Sequence, residues 1–159
     1  MTAVARIVLE DCRRAHRLLE DLADPNLWRL HWFGALALLP AVNDVLHKVD
    51  CIEGLPKEVY SVLYKQWQTD PSATIFIEFI SNDRNLAVHQ YQFNCDLRNS
   101  IPVVYGDGEV AEFDQNIFRP QLSGWRAGEY DEDVRDIYAE AIDWWQLQLD
   151  KIDRDCAAF

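Results

Sequence analysis

The stretch Asp83-Arg84-Asn85-Leu86-Ala87-Val88-His89-Gln90-Tyr91 reads as part of a long helix with an arginine where that helix needs an apolar residue. With each residue set about 100° from the last, Ile77, Ile80, Ala87, Val88 and Tyr91 share one face, and Arg84 falls in its middle. Glu78, Asn82, Asn85, His89 and Gln92 form a polar stripe beside it. A guanidinium directed into an apolar seam is costly unless a negative group meets it. That group is either a carboxylate of the same chain or the phosphate of a substrate.

Outward from this stretch the chain keeps a helical period. Val4, Ile7, Val8, Leu18, Leu19 and Leu22 recur at three- and four-residue steps and predict a helix over 3–22. Asp24-Pro25-Asn26 ends it, and Asp24 or Asn26 is placed to cap a second helix over 27–49. The middle of that helix is apolar nearly all round, as expected at the centre of a bundle, and Pro40 should kink it. Pro56 starts a third helix over 57–68, and Thr69-Asp70-Pro71-Ser72 separates it from the fourth, 73–93. Between 94 and 130 the period is lost. Ile101 to Tyr105 and Glu109 to Phe113 flank Gly106-Asp107-Gly108 as a short hairpin would. A last amphipathic helix over 131–156 carries Val134, Tyr138, Ala141, Trp145, Leu149 and Ile152 on its seam. The expectation is all-α, a single domain over 1–159. It is a bundle of four to five helices with a long loop or short β-hairpin before the C-terminal helix.

Composition narrows the function. Hydrophobic residues make up 49% of the 159, enough for a substantial core. Twenty-seven Asp and Glu against 15 Lys and Arg give a formal net charge of −12. No basic run exists, only Arg13-Arg14 and the scattered Arg119, Arg126 and Arg135. This argues against a broad nucleic-acid footprint and leaves room for a small local pocket. The four cysteines, Cys12, Cys51, Cys95 and Cys156, have neither metal-ligand nor disulfide-framework spacing, which suits free thiols in a reducing cytoplasm. The longest apolar run, Trp32 to Val42, is too short to span a membrane. The N-terminal segment carries charges within its apolar period, so no signal peptide is expected.

Arg84-Asn85, three residues, then His89, with Tyr91 completing an H-x-Y ending, resembles the R-x4-6-H motif of the HEPN superfamily. The resemblance covers the motif and the helix count of most of the chain. It implies a homodimer whose paired motifs meet at the subunit interface and form a metal-independent endoribonuclease site, with no cofactor. For this chain the resemblance implies a part in a prokaryotic toxin or defence system, with an antitoxin or other regulatory protein as a partner alongside RNA. Carried onto this chain, His89 is the general acid or base on the ribose 2′-hydroxyl and leaving oxygen, a task suited to a side chain that exchanges protons near neutral pH. Arg84 holds the scissile phosphate. Asn85 orients His89 or the phosphate, and Tyr91 supports as a hydroxyl or a stacking ring. Asn85 and His89, four apart, lie about 40° apart around a helix, with Arg84 farther round.

Plainer roles stand beside these. His89 fits a surface histidine in a polar stripe, and Arg84 a salt bridge to Asp83, Glu78 or an acid of the last helix. The strong negative charge and Glu78 on the His89 stripe both weaken attraction for RNA. The competing expectation is therefore a non-catalytic dimeric binding or regulatory module. His16, His31 and His47 lack ligand spacing and read as structural. Trp144-Trp145 reads as one core and one interface residue. Gly106-Asp107-Gly108 is a turn and not a phosphate loop, because no Lys and no helix start follow it. The acidic cluster from Glu129 to Asp136 reads as a solvated helix start.

Overall fold

A hydrophobic cluster threaded by two stacked tryptophans and one buried tyrosine organises the fold. The computed structural model describes residues 1–73, 80–95, 100–114, 121–122 and 132–158. These form an all-α bundle of five helices: α1 (Ala3–Asp21), α2 (Pro25–Val45), α3 (Gly54–Trp67), α4 (Ser81–Gln90) and α5 (Val134–Ala157). A π-helical turn (Leu46–Asp50) extends α2, and a 3-10 turn (Pro71–Ala73) follows α3. Among the described residues no helix is long and apolar enough to cross a membrane.

The helix boundaries follow local chemistry. Asp24 caps α2 by accepting the backbone N–H groups of Asn26 (2.8 Å) and Leu27 (3.3 Å), and Pro25 opens the first turn. The α2 helix runs through Pro40 and passes into the π turn. Asp50 at the end of that turn then caps α1 from a distance, taking the N–H groups of Val4 (3.2 Å) and Ala5 (2.8 Å). Gly54 begins α3 at φ +65, a backbone conformation that favours glycine. Asp133 caps α5 through the N–H of Arg135 at 2.9 Å and grips the Arg135 guanidinium at 2.6 Å.

The core runs through all five helices. Trp28 and Trp32 stack at 5.4 Å, Trp32 meets the Tyr138 ring edge-on at 5.6 Å, and the Tyr138 hydroxyl donates to the Ala35 carbonyl at 3.0 Å. His16 stacks on Tyr138 and contacts the Arg135 carbonyl, while His47 stacks on Tyr60, so both serve packing.

Three packing expectations are corrected. On α1, Val4, Ile7 and Leu18 are exposed, and the inward face is Ala5, Leu9, Cys12 and Leu19. Leu19 keeps its expected place, and Val8 and Leu22 pack half-buried against the core; the Asp50 cap and the Thr2–Asp153 contact hold the helix with the neighbouring stripe inward. On α2, Gly34 and Ala37 are exposed, so the middle of the helix is not buried all round. Trp144 is no interface residue: it is 7% exposed and Trp145 is 0% exposed, both packed against Trp67.

The expected hairpin forms before α5. β1 (Ser100–Val104) pairs antiparallel with β2 (Val110–Asp114), with Val104 opposite Val110. The turn is closed by Tyr105 N–H on the Glu109 carbonyl at 2.8 Å, with Gly108 at φ +86. A second ladder joins β3 (Gln121–Leu122) to β4 (Glu132–Asp133) at the start of α5.

Candidate functional site

α4 carries the Arg-Asn-x-x-x-His order and is shorter than the period suggested. It ends at Gln90, because Tyr91 takes a left-handed conformation (φ 52, ψ 38) and its N–H returns to the Ala87 carbonyl at 3.1 Å. A non-glycine residue there costs about 1–2 kcal/mol. Contacts to the Tyr91 ring offset this: Phe93 lies edge-on at 5.7 Å, Phe33 at 6.5 Å, and the Arg29 guanidinium sits over the face at 5.7 Å. Tyr91 thus stops the helix and holds it against α2. Ile77 and Glu78, on the predicted seam and stripe, fall outside the described residues.

The inward face of α4 is Ile80, Asp83 and Ala87. This corrects the expectation that Arg84 sits in the apolar seam. Ile80 and Ala87 stay inward, and the helix is turned by about 50°, so Asp83 occupies the inward position and Arg84 is exposed. Asn85 and His89 are exposed as well, as are Val88 and Tyr91. No side-chain hydrogen bond or ion pair joins Arg84, Asn85 or His89 to another described residue. The salt bridge from Arg84 to Asp83 that the plain reading allowed is absent, since Asp83 faces the core.

Asp83 is the feature sequence reasoning missed. It is 0% exposed, and its Oδ1 accepts from Asn94 Nδ2 at 2.6 Å. The Trp32 indole approaches the same carboxyl closely enough to favour the anion. The contact stays outside hydrogen-bond geometry, and Asp83 Oδ2 and Trp32 Nε1 both lack a partner among the described residues. Burial pushes the carboxyl above its ordinary value, against the opposing influence of Asn94 and Trp32. Nothing in the sequence separates Asp83 from a surface acid except its spacing of three from Ile80 and four from Ala87.

A raised carboxyl has a stability signature. The folded chain holds the Asp83 proton to higher pH than the unfolded chain, so stability is fully present below the unfolded value and declines as pH rises through the folded one. Asp153 runs the other way. Burial raises it, but the terminal ammonium, the Thr2 hydroxyl and Arg6 together pull it well below the usual carboxylate range. Its contribution is therefore present above the unfolded value and lost as pH falls. The two are separated by a mutant difference. Asp83→Asn is expected to gain stability relative to the parent chain as pH is raised from about 4 to about 7 in urea unfolding. A difference that stays constant over that range would mean the carboxyl titrates normally.

Two depressions flank α4. His89 and Asn85 line a shallow one with Asn82, Leu86, Gln90 and Asn94, so the Asp83–Asn94 bond fixes part of its wall. Arg84 lines a different one, a pocket of about 380 Å³ between α2, α3, α4 and α5, walled by Tyr64, Trp67 and Trp144. A single chain therefore brings Asn85 and His89 together and sends Arg84 elsewhere. Five residues of helix separate Arg84 and His89 by about 140°. Among the described residues no group of three or more His, Cys, Asp or Glu could hold a metal ion. The four cysteines are buried and free.

Comparison with family models, with curated proteins and with solved structures returned no match.

Proposed function

We propose that the chain is a metal-independent endoribonuclease of a prokaryotic toxin or defence system. It works as a cytoplasmic homodimer whose site is completed where two α4 helices meet. The observation that carries this reading is the exposure of Arg84, Asn85 and His89, with no side-chain bond to another described residue. Side chains kept for packing are tied down, as Arg135 is to Asp133 at 2.6 Å. These three are available to a substrate.

In the proposed reaction the ribose 2′-hydroxyl attacks the adjacent phosphate. His89 takes the hydroxyl proton and then returns it to the leaving 5′-oxygen. Arg84 from the facing copy neutralises the charge that builds on the phosphoryl oxygens. Asn85, one turn before His89, hydrogen-bonds the imidazole or the phosphate. The products are a 2′,3′-cyclic phosphate and a 5′-hydroxyl.

The test is incubation of the purified protein with mixed RNA in EDTA, followed by analysis of the product ends. Cleavage with cyclic phosphate ends is expected. Cleavage that needs a divalent ion, or that leaves a 3′-hydroxyl, would overturn the mechanism. The divergence of Arg84 and His89 into separate depressions favours a second reading, a dimeric module that binds a regulatory protein or a nucleotide and cuts nothing. Complete absence of cleavage in the same experiment selects it.

A further inference from the structure

The pocket beside Arg84 is walled by aromatic rings and edged by polar side chains. Tyr64, the open ring of its wall, is 42% exposed. The other rings are fixed in place: Trp67 Nε1 donates to Gln148 at 2.7 Å and Trp144 Nε1 to Ser72 at 3.1 Å. Trp67 and Trp144 meet edge-to-face at 5.4 Å, and Tyr64 meets Trp67 edge-on at 6.2 Å. Trp67 and Trp144, 5% and 7% exposed, form a rigid floor behind Tyr64, so the open ring is held in place at little further entropic cost on binding.

The polar groups of the pocket are placed at its edges. Asn43 Oδ1 already accepts from the Tyr60 hydroxyl at 3.1 Å, which leaves its amide N–H groups directed elsewhere. The Gln68 amide has no hydrogen bond among the described residues and offers both a donor and an acceptor. Asp44, which also lines the pocket, is 60% exposed and pairs with Lys48 at 3.4 Å. Arg84 stands at the side with its fork open. Stacking surface, amides of both polarities and one guanidinium are the recognition set for a nucleobase joined to a phosphate. The volume of about 380 Å³ lies in the range of small-molecule sites.

We infer that this pocket binds one nucleotide unit, its base against Tyr64, the base edge on Asn43 and Gln68, and its phosphate on Arg84. The unit is either a free mononucleotide or one residue of an RNA strand. The assignment deepens the ribonuclease reading and rests on it for the choice of substrate class. It also gives Arg84 a phosphate within its own chain.

Calorimetric titration with the four nucleoside 5′-monophosphates tests this, with adenosine and inorganic phosphate as partial ligands. At least one monophosphate should bind, and adenosine and phosphate should each bind about tenfold more weakly or worse. Tyr64→Ala should weaken binding by about tenfold and Tyr64→Phe should restore it, since stacking needs the ring and not the hydroxyl. Arg84→Ala should reduce the monophosphate to the level of adenosine. Val62→Ser, exposed in a separate groove on α3, should change nothing. A short oligoribonucleotide blocked by 2′-O-methyl groups identifies the source: tighter binding than the monophosphate assigns the pocket to a strand, equal binding to a free nucleotide. Failure of all four monophosphates to bind, or binding indifferent to both Tyr64→Ala and Arg84→Ala, overturns the inference. RNA cleavage alongside that failure leaves the ribonuclease reading standing. Nucleotide binding without cleavage retires that reading and keeps the pocket.

Discussion

Trp145→Ala is expected to lower the free energy of unfolding by about 3–5 kcal/mol. Trp145 is 0% exposed and lies between Trp67 at 5.5 Å and Trp144 at 4.9 Å, edge-to-face with both. Its removal deletes the ring contacts and leaves a cavity, and the cost depends on how far neighbours relax into it. Here they are held: the Trp67 and Trp144 indoles are anchored to Gln148 and Ser72, so neither ring moves in without breaking a hydrogen bond. A typical domain has only about 5–15 kcal/mol in total, so the variant should lose a large part of its stability. Chemical denaturation followed by circular dichroism measures this. Val62→Ala, at a position 58% exposed, should stay within about 0.5 kcal/mol of the parent. A loss below about 1 kcal/mol for Trp145→Ala would show that the aromatic cluster closes over the gap.

The helices were legible because their punctuation is chemical. Asp24-Pro25 before α2, Pro56 in the first turn of α3 and Gly106-Asp107-Gly108 between β1 and β2 each act through local backbone geometry. Which face turns inward was less legible, since it depends on partners far along the chain. The α1 helix carries two adjacent apolar stripes, and the choice between them is made by Asp50 and Asp153, about 45 and 150 positions away. On α4 the same ambiguity matters more. Ile80 and Ala87 belong to either face, and the position between them on the inward side is Asp83, stabilised there by Asn94 from beyond the helix. Apolar periodicity gives an acid no credit for burial, so it selected Arg84 and missed Asp83. The Tyr64–Trp67–Trp144 pocket was hidden for a similar reason: its walls come from α3 and α5, more than 70 residues apart in sequence.

Arg84→Ala and His89→Ala should each reduce RNA cleavage by about 100-fold or more, and a heterodimer of the two should recover about half the parent rate. The recovery follows from the geometry of α4. Within one chain the two side chains leave the helix about 140° apart and line separate depressions. A reacting phosphate within reach of both therefore takes its arginine from one copy and its histidine from the other. In a two-fold dimer that makes two equivalent sites. A heterodimer of the variants has one site with both groups missing and one with both present. Co-expression with two different tags isolates that species. Neither substitution should disturb folding, because both positions are exposed and neither side chain has a hydrogen bond or ion pair to another described residue. A heterodimer as inactive as its parents would mean that each chain holds a complete site of its own, reached by a rearrangement of α4. Loss of dimerisation in Arg84→Ala would instead make the arginine an interface contact and remove it from the chemistry.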